Sequence, residues 1–266
     1  MKKKLLIIIL IAAAVIAAWL AFCGYQWSWG PFVKLHDVKT ASLEGNGEKY
    51  SLDNTPENAD SPIEGKTVLF LGSSVTYGSA SGGVSFADYI GKRDGCEMIK
   101  SAVSGTTLVE SGIDSYVSRL KKLDAEKADL LVCQLSTNDA SQKKELGKII
   151  ESKNLNDFDT KTVAGAIEYI ICYSKEKWNC PVIFYTNPRY DSDLYGEMVD
   201  ILKEAEAKWG ISVIDMWNDA ELNAALNKNT ALYMADKIHP TKAGYLEIWT
   251  PFMEKTVFGV MKEEAK

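Results

Sequence analysis

From Lys66 onward, short apolar runs bounded by turn residues alternate with stretches long enough to form helices. The short runs predict five β-strands, and a final stretch over Tyr245–Val260 predicts a closing helix. Strands separated by helices are typical of a parallel sheet with helices on both faces. The predicted strands are Thr67–Leu71, Met98–Val103, Leu130–Leu135, Val182–Tyr185 and Ser212–Met216, and the predicted helices between them are Phe86–Arg93, Thr107–Leu123, Thr162–Trp178 and Gly196–Trp209.

The amino terminus has a different pattern. Lys2, Lys3 and Lys4 precede nineteen residues without a charge, which end at Cys23. At about 1.5 Å per residue this length suits a membrane-spanning helix, and the lysines predict that its amino end faces the cytoplasm. A cleaved signal peptide is the main alternative, and lipidation at Cys23 is less favoured because Phe22 is not small. All three interpretations place the rest of the chain outside the cytoplasm.

Residues 24–65 join these two patterns. Trp27 and Trp29 suit the membrane interface, where indoles are favoured. His36 has no motif around it, so we interpret it as a surface or packing residue. From Glu44 to Gly65 the chain is polar with scattered glycine and proline, which predicts a linker or a loosely attached cover. The sequence therefore divides into an anchor or signal segment (1–23), a linker or cover (24–65) and an α/β domain (66–266).

Charge and cysteine content exclude several classes of function. The chain carries 30 basic and 36 acidic residues, and 27 of the basic ones follow residue 23 with all of the acidic ones, so residues 24–266 carry a net charge of −9. A body this acidic makes nucleic acid an improbable partner. With two histidines and no HExxH or CxxC motif, we expect no metal. Cys172 and Cys180 would be able to form a disulfide in an exported domain. Because Cys172 falls in a predicted helix, we expect both thiols to stay free.

Ligands of parallel α/β sheets bind beyond the carboxyl ends of the strands, so the residues found there indicate the chemistry. Ser74 follows the first strand at a tight turn, where it is either a helix cap or an exposed nucleophile. Gly105 follows the second strand and allows a backbone amide to approach a ligand closely. Asn138 follows the third strand, where its side chain either caps the next helix or donates to an oxyanion.

The last candidate group follows the fifth strand and a short helical piece. Asp236 precedes His239 by three residues, so one loop would supply both a general base and the carboxylate that orients it. An incidental surface histidine would not explain the other three groups. Together, the sequence offers a serine, a glycine, an asparagine and an Asp-x-x-His pair, each beyond a different strand.

In this order, the four groups resemble the blocks of the SGNH (GDSL-type) esterases and lipases. The resemblance spans about residues 66–258 and assigns Ser74 to the first block, Gly105 to the second, Asn138 to the third, and Asp236 with His239 to the last. Two positions depart from the family pattern. Ser73 stands where the family often has aspartate, and Ser136 stands where glycine is usual.

The resemblance implies a flavodoxin-like α/β/α sandwich that hydrolyses esters without a cofactor. It assigns Ser74 as nucleophile, His239 as base, Asp236 as its orienting partner, and Gly105 and Asn138 to the oxyanion hole. The short polar loops 78–83 and 141–144 offer no apolar lid, which favours short-acyl esters, and we expect acetyl groups on carbohydrate. The alternatives are an O-acyltransferase using the same residues and a catalytically silent binding module. The expected partners are a small-molecule or polysaccharide ester and, through the amino-terminal helix, the membrane.

Overall fold

The structure, a computed structural model, describes residues 2–27 and 30–264. Trp29 of the expected interfacial segment lies outside the described residues. The predicted sheet is confirmed: five strands pair in parallel in the order β2-β1-β3-β4-β5, as in flavodoxin-like domains. The strand ends agree with the sequence prediction within two residues. The strands are β1 Thr67–Gly72, β2 Glu97–Ala102, β3 Leu130–Gln134, β4 Val182–Tyr185 and β5 Ser212–Ile214.

Helices cover both faces of this sheet, as the resemblance implies. An amino-terminal helix and a short second helix precede the sheet, and a π-helical turn, Tyr245–Trp249, leads into the last helix. The helices are α1 Lys2–Trp27, α2 Lys34–Ala41, α3 Ser74–Tyr77, α4 Phe86–Asp94, α5 Tyr116–Lys122, α6 Thr137–Ser141, α7 Val163–Trp178, α8 Asp193–Trp209, α9 Ala220–Lys228, α10 Thr230–Tyr233, α11 Lys242–Gly244 and α12 Thr250–Glu264.

Alternate residues of β1 enter two different cores, because successive side chains of a strand point to opposite faces. Leu69 and Leu71 pack in the core with α5, α7 and α8, whereas Val68 and Phe70 pack in the core with α4 and α12. All four side chains are fully buried. Burial of each such side chain stabilises the fold by about 1.5–3 kcal/mol relative to its exposure. The sheet is therefore a rigid platform whose carboxyl edge holds the candidate residues.

The helix predicted over Thr107–Leu123 is wrong in its first half. Only Tyr116–Lys122 is helical, and it begins at Ser115, whose side chain accepts from the Ser118 N–H. The preceding residues form a loop because Gly112 has a φ of +76°, which a right-handed helix excludes, and because the Thr107 carbonyl accepts from the Tyr116 N–H instead of from the amide four residues on.

The second half of the expected linker packs against the α/β domain. Tyr50 and Ile63 are buried, and the hydroxyl of Tyr89 in α4 donates to the carbonyl of Tyr50 at 2.6 Å. The backbone of Gly65 bonds to that of Gly95. These contacts are those of a close-fitting cover, and the boundary at residue 66 remains a prediction. All five cysteines are free, so Cys172 and Cys180 do not pair.

Candidate active site

The five candidate residues meet at the carboxyl edge of the sheet. Ser74 begins α3 directly after β1, Gly105 lies in the loop after β2, and Asn138 lies in α6 after β3. Asp236 and His239 lie in the loop between α10 and α11. All five line one cavity of about 530 Å³. The structure therefore brings together every residue that the sequence assigned to the site.

Ser74, His239 and Asp236 form a continuous hydrogen-bonded relay. The Oγ of Ser74 lies 2.8 Å from the Nε2 of His239, and the Nδ1 of His239 lies 2.8 Å from an Asp236 carboxylate oxygen. A carboxylate only accepts, so Nδ1 carries the ring hydrogen in the neutral imidazole and Nε2 is left as the acceptor. His239 is therefore oriented to take the Ser74 proton.

The electrostatics of Asp236 suit this orienting role. Partial burial raises the pKa of Asp236, but hydrogen bonding and attraction to His239 and two backbone amides outweigh it, so the pKa falls to about 2. The amides are those of Ile238 and His239, which donate to the carboxylate at 2.7 and 2.8 Å. Asp236 is consequently ionised at neutral pH, and a carboxylate in this position can orient the His239 ring and stabilise its protonated form.

The structure distinguishes between the two adjacent serines. Ser74 is 8% exposed and its hydroxyl faces His239, whereas Ser73 is fully buried with its hydroxyl 3.3 Å from Gln134 Oε1. The same Gln134 oxygen accepts from the Ser73 N–H and from Thr76 Oγ1, both at 2.9 Å. Gln134 thus fixes the turn that presents Ser74, a role hidden in the sequence because Gln134 belongs to a buried strand.

The loops that carry the expected oxyanion donors are also held in place. Gly105 has a φ of +79°, a left-handed conformation in which a side chain would be strained, and this explains glycine there. One amide hydrogen of Asn138 is donated to the carbonyl of Thr106 at 2.9 Å, which leaves the other available. The Asn138 N–H donates to Ser136 Oγ, so Ser136, the departure from the family pattern, caps α6.

Asp139 connects these two loops. Its fully buried carboxylate accepts from the backbone amides of Leu108 at 2.7 Å and Val109 at 3.1 Å. Burial raises the pKa of Asp139, while these amides and Ser136 act in the opposite direction. The structure shows that Asp139 ties the end of β3 to the loop that contains Gly105.

Arg119 is a second residue that supports the site from outside it. Its guanidinium donates to the Gly72 carbonyl at 2.7 Å, to Ser101 Oγ at 2.8 Å and to the Ser101 carbonyl. These acceptors lie at the carboxyl ends of β1 and β2, so Arg119 holds together the two strands that lead to Ser74 and Gly105. An arginine on a helix gives no sequence signal for such a role.

Two further residues line the cavity from the amino-terminal segment. They are Gln26 in α1 and His36 in α2. The sequence interpretation of His36 as a surface or packing residue missed this position, because no motif links it to the α/β domain. Within the described residues, no group of three His, Cys, Asp or Glu side chains is placed to hold a metal ion.

Comparisons with known proteins agree with the fold and identify a family. The profile of the GDSL-like Lipase/Acylhydrolase family matches residues 70–246. A search of curated proteins gives no significant match. Among solved structures, a protein from Lactobacillus plantarum has 20% identity and a TM-score of 0.61, with 73% of this chain and 97% of that chain covered. One described as a GDSL-like lipase from Bacteroides ovatus has 16% identity and a TM-score of 0.55, with 73% and 98% covered.

A carbohydrate esterase also has this fold. The family two carbohydrate esterase from Clostridium thermocellum, solved with cellohexaose, has 14% identity and a TM-score of 0.50, with 75% of this chain and 66% of that chain covered. At these identities the likeness shows the fold alone. The family profile covers most of the chain, however, and the chain belongs to the GDSL-like lipase/acylhydrolase family. It is therefore an esterase of the hydrolase class.

Proposed function

We propose that the protein is an extracytoplasmic serine esterase that hydrolyses short-chain esters, chiefly acetyl esters of carbohydrate, through an acyl-enzyme. The observation that carries this proposal is the 2.8 Å contact between Ser74 Oγ and His239 Nε2, with Asp236 bonded to the far side of the ring. Gly105 and Asn138 line the same cavity. A nucleophile, a base, an orienting acid and oxyanion donors are thus within one site.

In the acylation step, His239 Nε2 takes the proton of the Ser74 hydroxyl while Ser74 Oγ bonds to the ester carbonyl carbon. The carbonyl electron pair moves onto oxygen, and the resulting charge is stabilised by the backbone N–H groups of Ser74 and Gly105 and by the free amide hydrogen of Asn138. When the carbonyl reforms, the bond to the alcohol oxygen breaks. His239 gives its proton to that oxygen, so the alcohol leaves neutral.

In the deacylation step, a water molecule takes the place of the alcohol. His239 Nε2 takes a proton from the water as its oxygen bonds to the acyl carbon, and the same donors stabilise the second oxyanion. The bond to Ser74 Oγ then breaks, and Ser74 recovers a proton from His239. The product is the free carboxylic acid, and the resting relay is restored. Asp236 stays ionised and stabilises the imidazolium in both steps.

The lining of the cavity favours a short acyl group and a polar alcohol. Most of its side chains end in hydroxyl or amide groups, carbon atoms make up the larger part of its exposed surface, and Ile238 is the one aliphatic side chain among the lining residues that the structure describes. A long acyl chain gains about 0.8 kcal/mol for each CH₂ that it buries, which requires an apolar trough. Hydroxyl and amide groups instead suit a sugar. The carbohydrate esterase fold noted above is compatible with this choice but does not specify it.

The extracytoplasmic location rests on α1. Of the residues that the structure describes, α1 is the one helix long and apolar enough to span a membrane, and a signal sequence would have the same properties. Its side chains from Leu5 to Ile11 are all more than half exposed, so the α/β domain does not cover them. With Lys2, Lys3 and Lys4 on its amino side, this helix would place the catalytic domain outside the cytoplasm.

The experiment that tests this function is active-site labelling with a fluorophosphonate, together with rates on p-nitrophenyl esters. We expect labelling of the wild type and no labelling of Ser74→Ala, with the highest kcat/KM for acetate or butyrate. A maximum at eight carbons or longer would contradict the short-acyl proposal. An unlabelled wild type would indicate a silent binding module, and faster transfer to an added sugar than to water would indicate an acyltransferase.

A further inference from the structure

One wall of the active-site cavity comes from outside the α/β domain. Gln26 in the last turn of α1 and His36 in α2 line the same cavity as Ser74 and His239. The chain has two histidines, and both line this cavity. The relay described above uses only His239. The segment next to the apolar helix therefore takes part in the site without a role in the chemical steps.

Specific contacts hold this wall together. The Nδ1 of His36 lies 3.1 Å from the Tyr25 carbonyl, which only accepts, so Nδ1 carries the hydrogen in the neutral ring and Nε2 is free to accept. Lys39 donates to Gln26 Oε1 at 2.6 Å, which leaves the Gln26 NH₂ group as a donor. The wall thus offers one acceptor and one donor group, and both suit hydroxyl groups of a ligand.

Asn46 connects the same segment to the catalytic loops. Its side-chain NH₂ donates to the carbonyls of Thr40, at the end of α2, and of Ala80, in the loop after α3, both at 2.7 Å. Its side-chain oxygen accepts from the N–H of Lys242, three residues after His239, at 2.8 Å. The position of α2 is therefore fixed relative to both the Ser74 turn and the His239 loop.

The backbone approaches closely beside Asn46. A Cβ on Gly45 would lie 1.9 Å from the Leu232 carbonyl oxygen and 2.4 Å from Thr241 Oγ1. No larger residue fits there without displacement of the segment that leads to His239. The connection between α2 and the α/β domain is thus a packed contact rather than a flexible linker.

The length of α1 sets the level of the cavity relative to a membrane. The nineteen uncharged residues that end at Cys23 span roughly 28 Å at 1.5 Å per residue, close to the hydrocarbon thickness of about 30 Å. Gln26 follows Cys23 by three residues, or roughly 4.5 Å, which places it among the lipid headgroups. Val33 and Val38 are 40% and 67% exposed, and their apolar side chains suit that interface.

The charges around the cavity indicate what kind of polar group the ligand places there. The described lining residues include no lysine or arginine, and the ammonium at the wall, that of Lys39, is engaged by Gln26 Oε1. Asp236, the one carboxylate of the lining, is engaged by His239. The remaining polar groups are hydroxyls, amides and the two imidazoles. This set favours a neutral, hydroxyl-rich head.

We propose that the site takes an acyl ester on the neutral sugar head of a membrane-held amphiphile, and that Gln26 and His36 bind the sugar. This inference rests on the proposed esterase function and names its substrate class. The lipid part stays in the bilayer beside α1, while the acylated sugar enters the cavity from the headgroup level. Gln26 and His36 then contribute to substrate selection, and Ser74 and His239 perform the reaction.

The test uses the full-length chain in phosphatidylcholine nanodiscs. Three substrates are compared: an acetylated neutral glycolipid in the nanodisc, the same acetylated sugar without its lipid, and p-nitrophenyl acetate. We expect the glycolipid to be preferred over the free sugar by at least about tenfold in kcat/KM. We expect His36→Ala and Gln26→Ala to lower the ratio of glycolipid to p-nitrophenyl acetate hydrolysis by about tenfold, equivalent to about 1.4 kcal/mol. Asp37→Ala, on the same helix but outside the lining, is the matched control and leaves this ratio unchanged.

The outcomes separate the two proposals. If p-nitrophenyl acetate is hydrolysed but the glycolipid is not preferred, or if neither variant changes the ratio, the membrane-held substrate is refuted and the esterase function stands. Removal of α1 from the mature chain, measured by intact mass, would also refute the membrane-held substrate. If the wild type hydrolyses none of the three esters and is not labelled by fluorophosphonate, both proposals fail.

Discussion

Replacement of Asn138 by alanine tests the oxyanion hole most directly. One of its two amide hydrogens is donated to Thr106, so a single hydrogen is available to the substrate oxygen. Loss of one such donor costs about 2.7–4 kcal/mol, which is a fall in kcat of about 10²–10³. KM should change little, because this hydrogen bond strengthens mainly in the transition state. The assay is p-nitrophenyl acetate hydrolysis, normalised to the active sites titrated with fluorophosphonate.

The fold should survive this change. Ser136 still caps α6 through the N–H of residue 138, and Thr106 loses a bond at a partly exposed position, a cost of about 1 kcal/mol. Asn138→Asp is the matched variant: it keeps the shape but replaces the donor with a negative charge, so kcat should fall further than in Asn138→Ala. A normal kcat in Asn138→Ala, with the melting temperature maintained, would show that Asn138 only positions the Thr106 loop.

The remaining predictions concern the relay and its support. Ser73→Ala should keep most activity whereas Ser74→Ala loses acylation, and the opposite pattern in fluorophosphonate labelling would reverse the assignment. Because the pKa of Asp236 is about 2, its carboxylate keeps its charge on acidification until near that pH, and a fall in kcat/KM with the slope of two protons above about pH 4 would contradict this. Asp236→Asn should lower kcat by up to about 10⁴ through loss of ring orientation, with little change in melting temperature. Asp139→Asn keeps only one acceptor for its two backbone donors, so kcat should fall about tenfold and the melting temperature should drop; unchanged kcat would show that the Gly105 loop does not depend on it.

The sequence allowed much of the fold to be predicted because apolar runs and helices alternate regularly. The five strands were placed within two residues, and the parallel arrangement followed from their separation by helices. The error over Thr107–Leu123 arose from a non-helical contact, because the Tyr116 N–H takes the Thr107 carbonyl that a helix would have used and Gly112 adopts a φ of +76°. Local sequence patterns contain no information about such a contact.

The candidate site shows the same difference between residues that local sequence patterns reveal and residues whose contacts they do not. Ser74, Asn138 and His239 were recognisable because each stands directly beyond a strand or in an Asp-x-x-His pair. The residues that orient them were not, since Gln134 lies inside a buried strand and Arg119 on a helix. His36 was missed because it is far from the catalytic residues in sequence. Only the packing around Asn46 brings it to the cavity.

Four of the five unpaired cysteines have a property that suits the proposed extracytoplasmic location. Burial raises the pKa of Cys96 to about 12 and those of Cys172 and Cys180 to about 11, and it raises the pKa of Cys133 well above its ordinary value. The thiolate is the reactive form, so at pH 8 only about one in a thousand Cys180 side chains would be reactive at any moment. These four thiols should therefore resist mispairing in an oxidising compartment, and they should react with alkylating reagents mainly as the domain unfolds.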